Sequence, residues 1–182
     1  MTDIERWLTN TTAMKATLPV PAGTIYRGMD DFILRHGRLY TPQELTPAER
    51  KIVTAAARRT KPFKIKECFY NAQKMLRADE TDTLVYVEGY ATSIIPIHHG
   101  WLTINDKVID FTMRERVDGK TVERRPYGAG IFGAWKADRE YFGVPIPKER
   151  MLAFTADGMG ASIIDDWQNG WPLLRRSGSS RD

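Results

Sequence analysis

With 182 residues, 42% hydrophobic and 10% aromatic, the chain can bury a sizeable core, which excludes an intrinsically disordered protein. Its net charge of +4 is a mild basic excess and only a weak argument for a nucleic-acid partner. Cys68 is the only cysteine, so no internal disulfide can form. The charged start "MTDIERWLTN" and the lack of any apolar run near the about 18 residues of a membrane span lead to the expectation of a cytoplasmic protein with no membrane partner.

In chain order, Ile4, Trp7, Leu8 and Met14 predict an amphipathic helix over residues 3–16. Pro19, Pro21, Gly23 and Gly28 mark residues 17–28 as an extended loop, and "DDFILRHGRLY" predicts a short helical segment stopped by Gly37. "TPAE" is a helix start. Thr46 fits the N-cap, Pro47 the first turn, and Glu49 closes a capping box; this helix should run to about Arg59 and end before Pro62. Phe69, Ala72, Met75 and Leu76 predict a further helix from Cys68 to about Ala78.

The texture then becomes β-rich. "TLVYVEGYA", "IHHGWLTI" and "KVIDFT" read as strands, with Asn105-Asp106 as a two-residue turn between the last two. "RERVDGKTVERR" reads as another hairpin with Asp118-Gly119 at its tip. "YGAGIFGAW" is a glycine-rich loop that lacks the Lys-Ser/Thr of a phosphate-binding loop. "PIPKERMLAF" and "ASIIDDW" predict short helices, and "RRSGSSRD" a disordered tail. The order implies an α+β fold with N-terminal helices packed on a mostly antiparallel sheet. It is read as a single domain over residues 1–174 and a tail over 175–182.

Arg50, Lys51, Arg58, Arg59, Lys61, Lys64 and Lys66 form a basic run without an acidic residue, just ahead of Cys68. It is either a solvated face or a positive field acting on the thiol. A helix start favours an anion, so Cys68 is a candidate nucleophile that needs a base. The turn at Asn105-Asp106 pairs Ile104 with Lys107, Trp101 with Asp110 and His99 with Thr112. Strand side chains alternate, so His99, Trp101, Asp110 and Thr112 share one face and His98 takes the other. A one-residue slip would move Asp110 off that face. A zinc set of Cys68, His98, His99 and Asp110 is disfavoured, because adjacent strand histidines point apart and no second cysteine exists.

"ECFYNA", "HHGWLTI" and "VIDFT" together resemble the transglutaminase-like branch of the papain-like cysteine protease superfamily, whose pattern runs Cys, then His-Ala-Trp, then Asp-Pro-Thr. The likeness covers about residues 60–115, with Gly100 where alanine is usual and Phe111 where proline is usual. "YVEGYA" and "YFGVPI" also look like small phage and bacterial proteins of unassigned function. The resemblance implies a papain-like, transglutaminase-like core with a Cys68, His99, Asp110 triad. It further implies a thiol-dependent hydrolase or acyltransferase acting on an amide, peptide or isopeptide bond, with a peptide or protein substrate and no metal or organic cofactor. Asn71, Glu88, Trp101 and Tyr26 are the candidate substrate contacts, with Glu88 equally readable as a satisfied carboxylate at a sheet end. Tyr26, Gln43 and Trp101 are candidate oxyanion donors, since the family's glutamine ahead of the cysteine is absent. The alternative is an inactive core that binds an acidic partner or nucleic acid through its basic surface.

Overall fold

A computed structural model of the chain describes residues 1–64, 66–92, 95–112, 115–117, 120–122 and 139–175. Helices form where the sequence caps them. α1 (Asp3–Met14) starts at Thr2, whose hydroxyl accepts from the Glu5 N–H while the Glu5 carboxylate accepts from the Thr2 N–H. α2 (Met29–His36) stops at Gly37, whose N–H donates to the Ile33 carbonyl. α3 (Pro47–Thr60) carries the capping box of Thr46 and Glu49 that the sequence predicts. α4 (Cys68–Arg77) opens at Cys68 itself, and α5 (Lys148–Phe154) follows late in the chain.

The sheet is five-stranded and antiparallel throughout. Its strands are β1 (Arg38–Tyr40), β2 (Val85–Thr92), β3 (Pro96–Ile104), β4 (Lys107–Ile109) and, after a separate hairpin of β5 (Glu115–Val117) and β6 (Lys120–Val122), β7 (Tyr141–Ile146). The spatial order is β1-β7-β2-β3-β4. The α+β expectation holds. The β3–β4 turn is as expected too. Asn105 (φ 49°) and Asp106 (φ 63°) are both left-handed, as the hairpin turn with matching twist requires, and Ile104 pairs with Lys107. Glu49 ties this turn to the start of α3. Its carboxylate accepts from Asn105 Nδ2 and from Lys107 Nζ, both at 2.8 Å, and these contacts hold it well below the usual carboxylate range.

One sheet face, with Tyr86, Tyr90, Leu102 and Phe142, packs on the helices through Ile4, Leu8, Ile33, Val53, Met75, Leu76 and Met151. Fully burying an aliphatic or aromatic side chain of this kind is worth about 1.5–3 kcal/mol. The other face carries a smaller cluster of Tyr40, Val87, Ala91, Trp101, Val108 and Tyr141.

Five features depart from the sequence reading. β7, a strand inside the sheet, was not expected from "YFGVPI", and β1 was not expected after Gly37. β4 covers three residues of "KVIDFT", because the Asp110 side chain folds back to accept from the Thr112 N–H at 2.8 Å. "ASIIDDW" is not a helix. Its Ile163 and Ile164 N–H groups donate to the Glu88 carboxylate instead of to helical carbonyls. Arg175, placed in the tail, forms a bridge with Thr24. The hairpin tip 118–119, the glycine-rich loop 127–135 and residues 176–182 lie outside the described residues. Among the described residues no helix is long and apolar enough to cross a membrane.

Candidate active site

The site forms where the first turn of α4 meets β3 beyond the end of β4. β4 pairs with β3 only as far as Leu102, so His99 and Gly100 lie past the last strand partner on that side. α4 reaches this gap because residue 100 has no side chain. A Cβ there would sit 2.7 Å from Phe69 Cδ1 and 3.1 Å from the Tyr86 hydroxyl. The glycine therefore lets Phe69 and with it Cys68 settle against the strand.

His99 is 2% exposed and Asp110 3% exposed, and His99 Nε2 hydrogen-bonds Asp110 Oδ2 at 2.7 Å. Nδ1 is the ring nitrogen left over, and Cys68, at the first turn of α4, is close enough to add to the pull that holds a proton on the imidazole. Burial opposes a charge on His99. The Asp110 carboxylate, its hydrogen bond and the neighbouring Cys68 outweigh burial and raise the imidazole well above its ordinary value. Asp110 is held on both oxygens: Oδ2 also accepts from the Tyr141 hydroxyl at 3.1 Å, and Oδ1 accepts from the Thr112 N–H. Burial and the Asp110 charge push the Tyr141 phenol well above its usual value, so it stays a donor. Cys68 is partly exposed. It lines a cavity of about 10 Å³, close to the room one water needs, together with Asn71, Trp101, Asp110 and Thr112.

The His99 face is cleared by glycines. Gly89 pairs with His99 on one side and with Gly143 on the other, and a Cβ on Gly143 would lie 2.6 Å from Trp101 Cη2. The Trp101 indole fills that space, nearly parallel to the imidazole (17°, centroids 6.3 Å apart). Its Nε1 is buried and has no partner among the described residues. His98 takes the opposite face, between Phe69 and Tyr90, where burial lowers it to about 4 and keeps it neutral. Among the described residues no group of three His, Cys, Asp or Glu side chains is placed to hold a metal ion.

The structure thus brings Cys68, His99 and Asp110 together, with Trp101 and Asn71 beside them. It does not bring Glu88 or Tyr26 to the site as substrate contacts. Glu88 is fully buried. Its carboxylate accepts from Tyr86 (2.7 Å), Ser162 Oγ (2.8 Å) and the N–H groups of Ile163 and Ile164, and burial raises its pKa. Of its two sequence readings, the structure selects the satisfied carboxylate. Tyr26 sits in the main core, its hydroxyl 2.5 Å from His36 Nε2 and its ring edge-on to Phe32, so its polar atom is already engaged. Gln43 is exposed between β1 and α3. The basic run is not a bare patch: Arg59 meets Glu80 at 2.6 Å, Arg50 lies 3.9 Å from Glu44, and the Lys64 ammonium lies 3.8 Å from the Tyr70 ring centroid.

Sequence reasoning missed Tyr141, which donates to the Asp110 carboxylate from the unexpected strand β7. The signal was faint. Pro145 argues against an interior strand, yet β1 stops at the level of Gly143, so Pro145 has no neighbour strand on that side. Comparison with models of known families, with curated proteins and with solved structures finds no match.

Proposed function

We propose that this chain is a thiol-dependent hydrolase or acyltransferase of transglutaminase-like, papain-like type, acting on an amide, peptide or isopeptide bond. The observation that carries the reading is the buried His99–Asp110 hydrogen bond, with Asp110 and Cys68, at the first turn of α4, lining one cavity. In this reading His99 takes the Cys68 proton as the sulfur attacks, and Asp110 sustains the imidazolium that results. Cys68 Sγ attacks the substrate carbonyl carbon, and the carbonyl π electrons move to oxygen. The first-turn N–H of Cys68, which a helix leaves without an intrahelical acceptor, donates to that oxyanion. His99 gives its proton to the departing nitrogen as the C–N bond breaks, leaving a thioester and a neutral imidazole. Water or an amine then attacks the thioester, loses its proton to His99, and releases acid or a new amide together with Cys68. No step calls on a metal or an organic cofactor. Of the donors named from sequence, Trp101 is the one that lines the cavity with Cys68.

A partner-binding role for an inactive core gains no specific support. Arg50 and Arg59 of the basic run already face carboxylates, and Cys68 lines one cavity with the carboxylate that holds His99.

The test is alkylation of Cys68 by iodoacetamide at about pH 7, compared between wild type and His99→Ala, since a thiolate rather than a thiol reacts. A rate that falls at least about 100-fold in the variant is expected, from the usual worth of a positioned acid–base group. Equal rates in the two proteins would sink the proposal. A Cys68→Ala variant, retained as a trap for a peptide or protein substrate in cell extract, addresses the substrate.

A further inference from the structure

We infer that Asn71 is a positioning residue that locks the nucleophile side of the site to the acid–base side. The inference rests on the reading of Cys68, His99 and Asp110 as a working triad. Asn71 lies on α4 three residues after Cys68 and is 3% exposed. Its amide is fully engaged. Oδ1 accepts from the Lys64 N–H at 2.9 Å, and Nδ2 donates to the Lys64 carbonyl at 2.7 Å and to Thr112 Oγ1 at 2.9 Å. Both amide hydrogens are used and the residue is buried, so no donor is left for a substrate.

The two ends of this clamp reach the two halves of the chemistry. On one side, gripping both backbone groups of Lys64 closes a loop from Lys64 to Asn71 around Lys66 and Cys68. Lys66 holds a left-handed backbone (φ 62°) immediately ahead of the N-cap, a conformation that side chains other than glycine rarely adopt. A fixed anchor on each side of Lys66 holds the chain in that turn, and the turn sets the direction from which Cys68 Sγ meets the imidazole. On the other side, Thr112 joins the clamp through Oγ1 while its N–H donates to Asp110 Oδ1, whose Oδ2 holds His99. Asn71 therefore fixes the distance between the sulfur and the imidazole from both directions. Asp-x-Thr has a physical reason here: the threonine N–H orients the carboxylate and its hydroxyl binds the helix that carries the thiol.

The experiment measures iodoacetamide alkylation of Cys68 from about pH 5 to about pH 10 in wild type, His99→Ala, Asn71→Asp, Thr112→Val and the double variant. Thermal melts run alongside. Asn71→Asp keeps the shape and the acceptor but removes both donations. The expected result is a loss of about 10- to 100-fold at neutral pH, the scale of an ångström-level misplacement, with the pH profile moved toward that of His99→Ala. Thr112→Val keeps the N–H to Asp110, and a loss of about fivefold is expected from one net hydrogen bond. The double variant should react no more slowly than Asn71→Asp, since both changes cut one connection. A wild-type profile in both single variants, or losses that multiply in the double variant, overturns the inference while leaving the triad in place. Equal reactivity in wild type and His99→Ala overturns both. Thr112→Val keeps the test decisive should Asn71→Asp fail to fold.

Discussion

His98 and His99 are neighbours in sequence and strangers in chemistry. Strand geometry turns them to opposite faces of β3. His98 enters the helix-packed face between two aromatic rings, finds no partner for Nε2 among the described residues and is held neutral by burial. His99 enters the other face, where Asp110 and Cys68 more than offset burial and hold a proton on it. The buried carboxylates divide the same way. Glu88, on the face of His98, fastens the segment Ser162–Ile164 to the sheet, whereas Asp110, on the face of His99, fastens an imidazole. The two carboxylates are almost equally buried; what differs is whether the partner is backbone or a titratable ring. In the proposed reading one face serves structure and the other proton transfer.

The sharpest way to break this comparison is to remove each histidine in turn. His99→Ala should cost about 10²- to 10⁴-fold in the His99-assisted reactivity of Cys68. His98→Phe keeps a ring between Phe69 and Tyr90, discards an unsatisfied nitrogen and should leave the rate within about threefold, as a residue outside the proton path. Loss of reactivity in His98→Phe would show that the helix-packed face takes part in chemistry.

The carboxylates give the next largest contrast. Asp110→Asn presents an amide to His99 Nε2, so the imidazole loses the charge that keeps its proton, and reactivity should fall by about 100-fold or more. Glu88→Gln leaves reactivity intact but turns an NH₂ group toward N–H donors of the Ser162–Ile164 segment. Denaturant unfolding should show a loss of about 1–3 kcal/mol, the cost of unsatisfied buried donors. A Glu88→Gln protein that is fully stable but unreactive would reverse the assignment of the two groups.

How much of this was legible follows from range. Local chemistry placed α3 by its capping box and the β3–β4 register by Asn105-Asp106; the expected pairs Trp101–Asp110 and His99–Thr112 fall beyond the end of that ladder, and Asp110 reaches His99 through its side chain. Strand alternation likewise separated His98 from His99. What was not legible depended on distant segments. Nothing near Glu88 announces that Ile163 and Ile164 will bring it their N–H groups, and nothing near Asp110 announces Tyr141 from a strand that begins 31 residues later. Tyr26 as a substrate contact, and Glu88 as either that or a satisfied carboxylate, are open readings in sequence because a polar group is free until the fold engages it.

Stability against pH separates the histidines by sign. His99 is raised by its partners, so its stabilisation is complete below the ordinary histidine value of about 6.5 and is lost as pH rises through the raised value. His98 is lowered to about 4, so it makes no demand above about 6.5 and costs stability as pH falls from there toward about 4. In urea titrations, the difference between wild type and His99→Ala should shrink on the alkaline side. The difference between wild type and His98→Phe should open on the acid side. Two curves sloping the same way would mean that the imidazoles do not differ in environment.

The smallest effect tests the contact between the two faces. Gly100 pairs with Glu88 and lies next to His99, and it is the point where α4 approaches β3. Gly100→Ala pushes its methyl group into Phe69 Cδ1. The ring is a side chain on the first turn of α4 and can yield, so the loss should be at the low end of overpacking, about 1 kcal/mol. The displacement passes directly to the adjacent Cys68, and its reactivity should fall by several-fold even where the melt barely changes. Adding Phe69→Leu makes room for the methyl group and should restore the rate while leaving the imidazole untouched. If the rate stays low with the space restored, the close approach of α4 is not what sets the thiol against His99, and the glycine has another reason to be there.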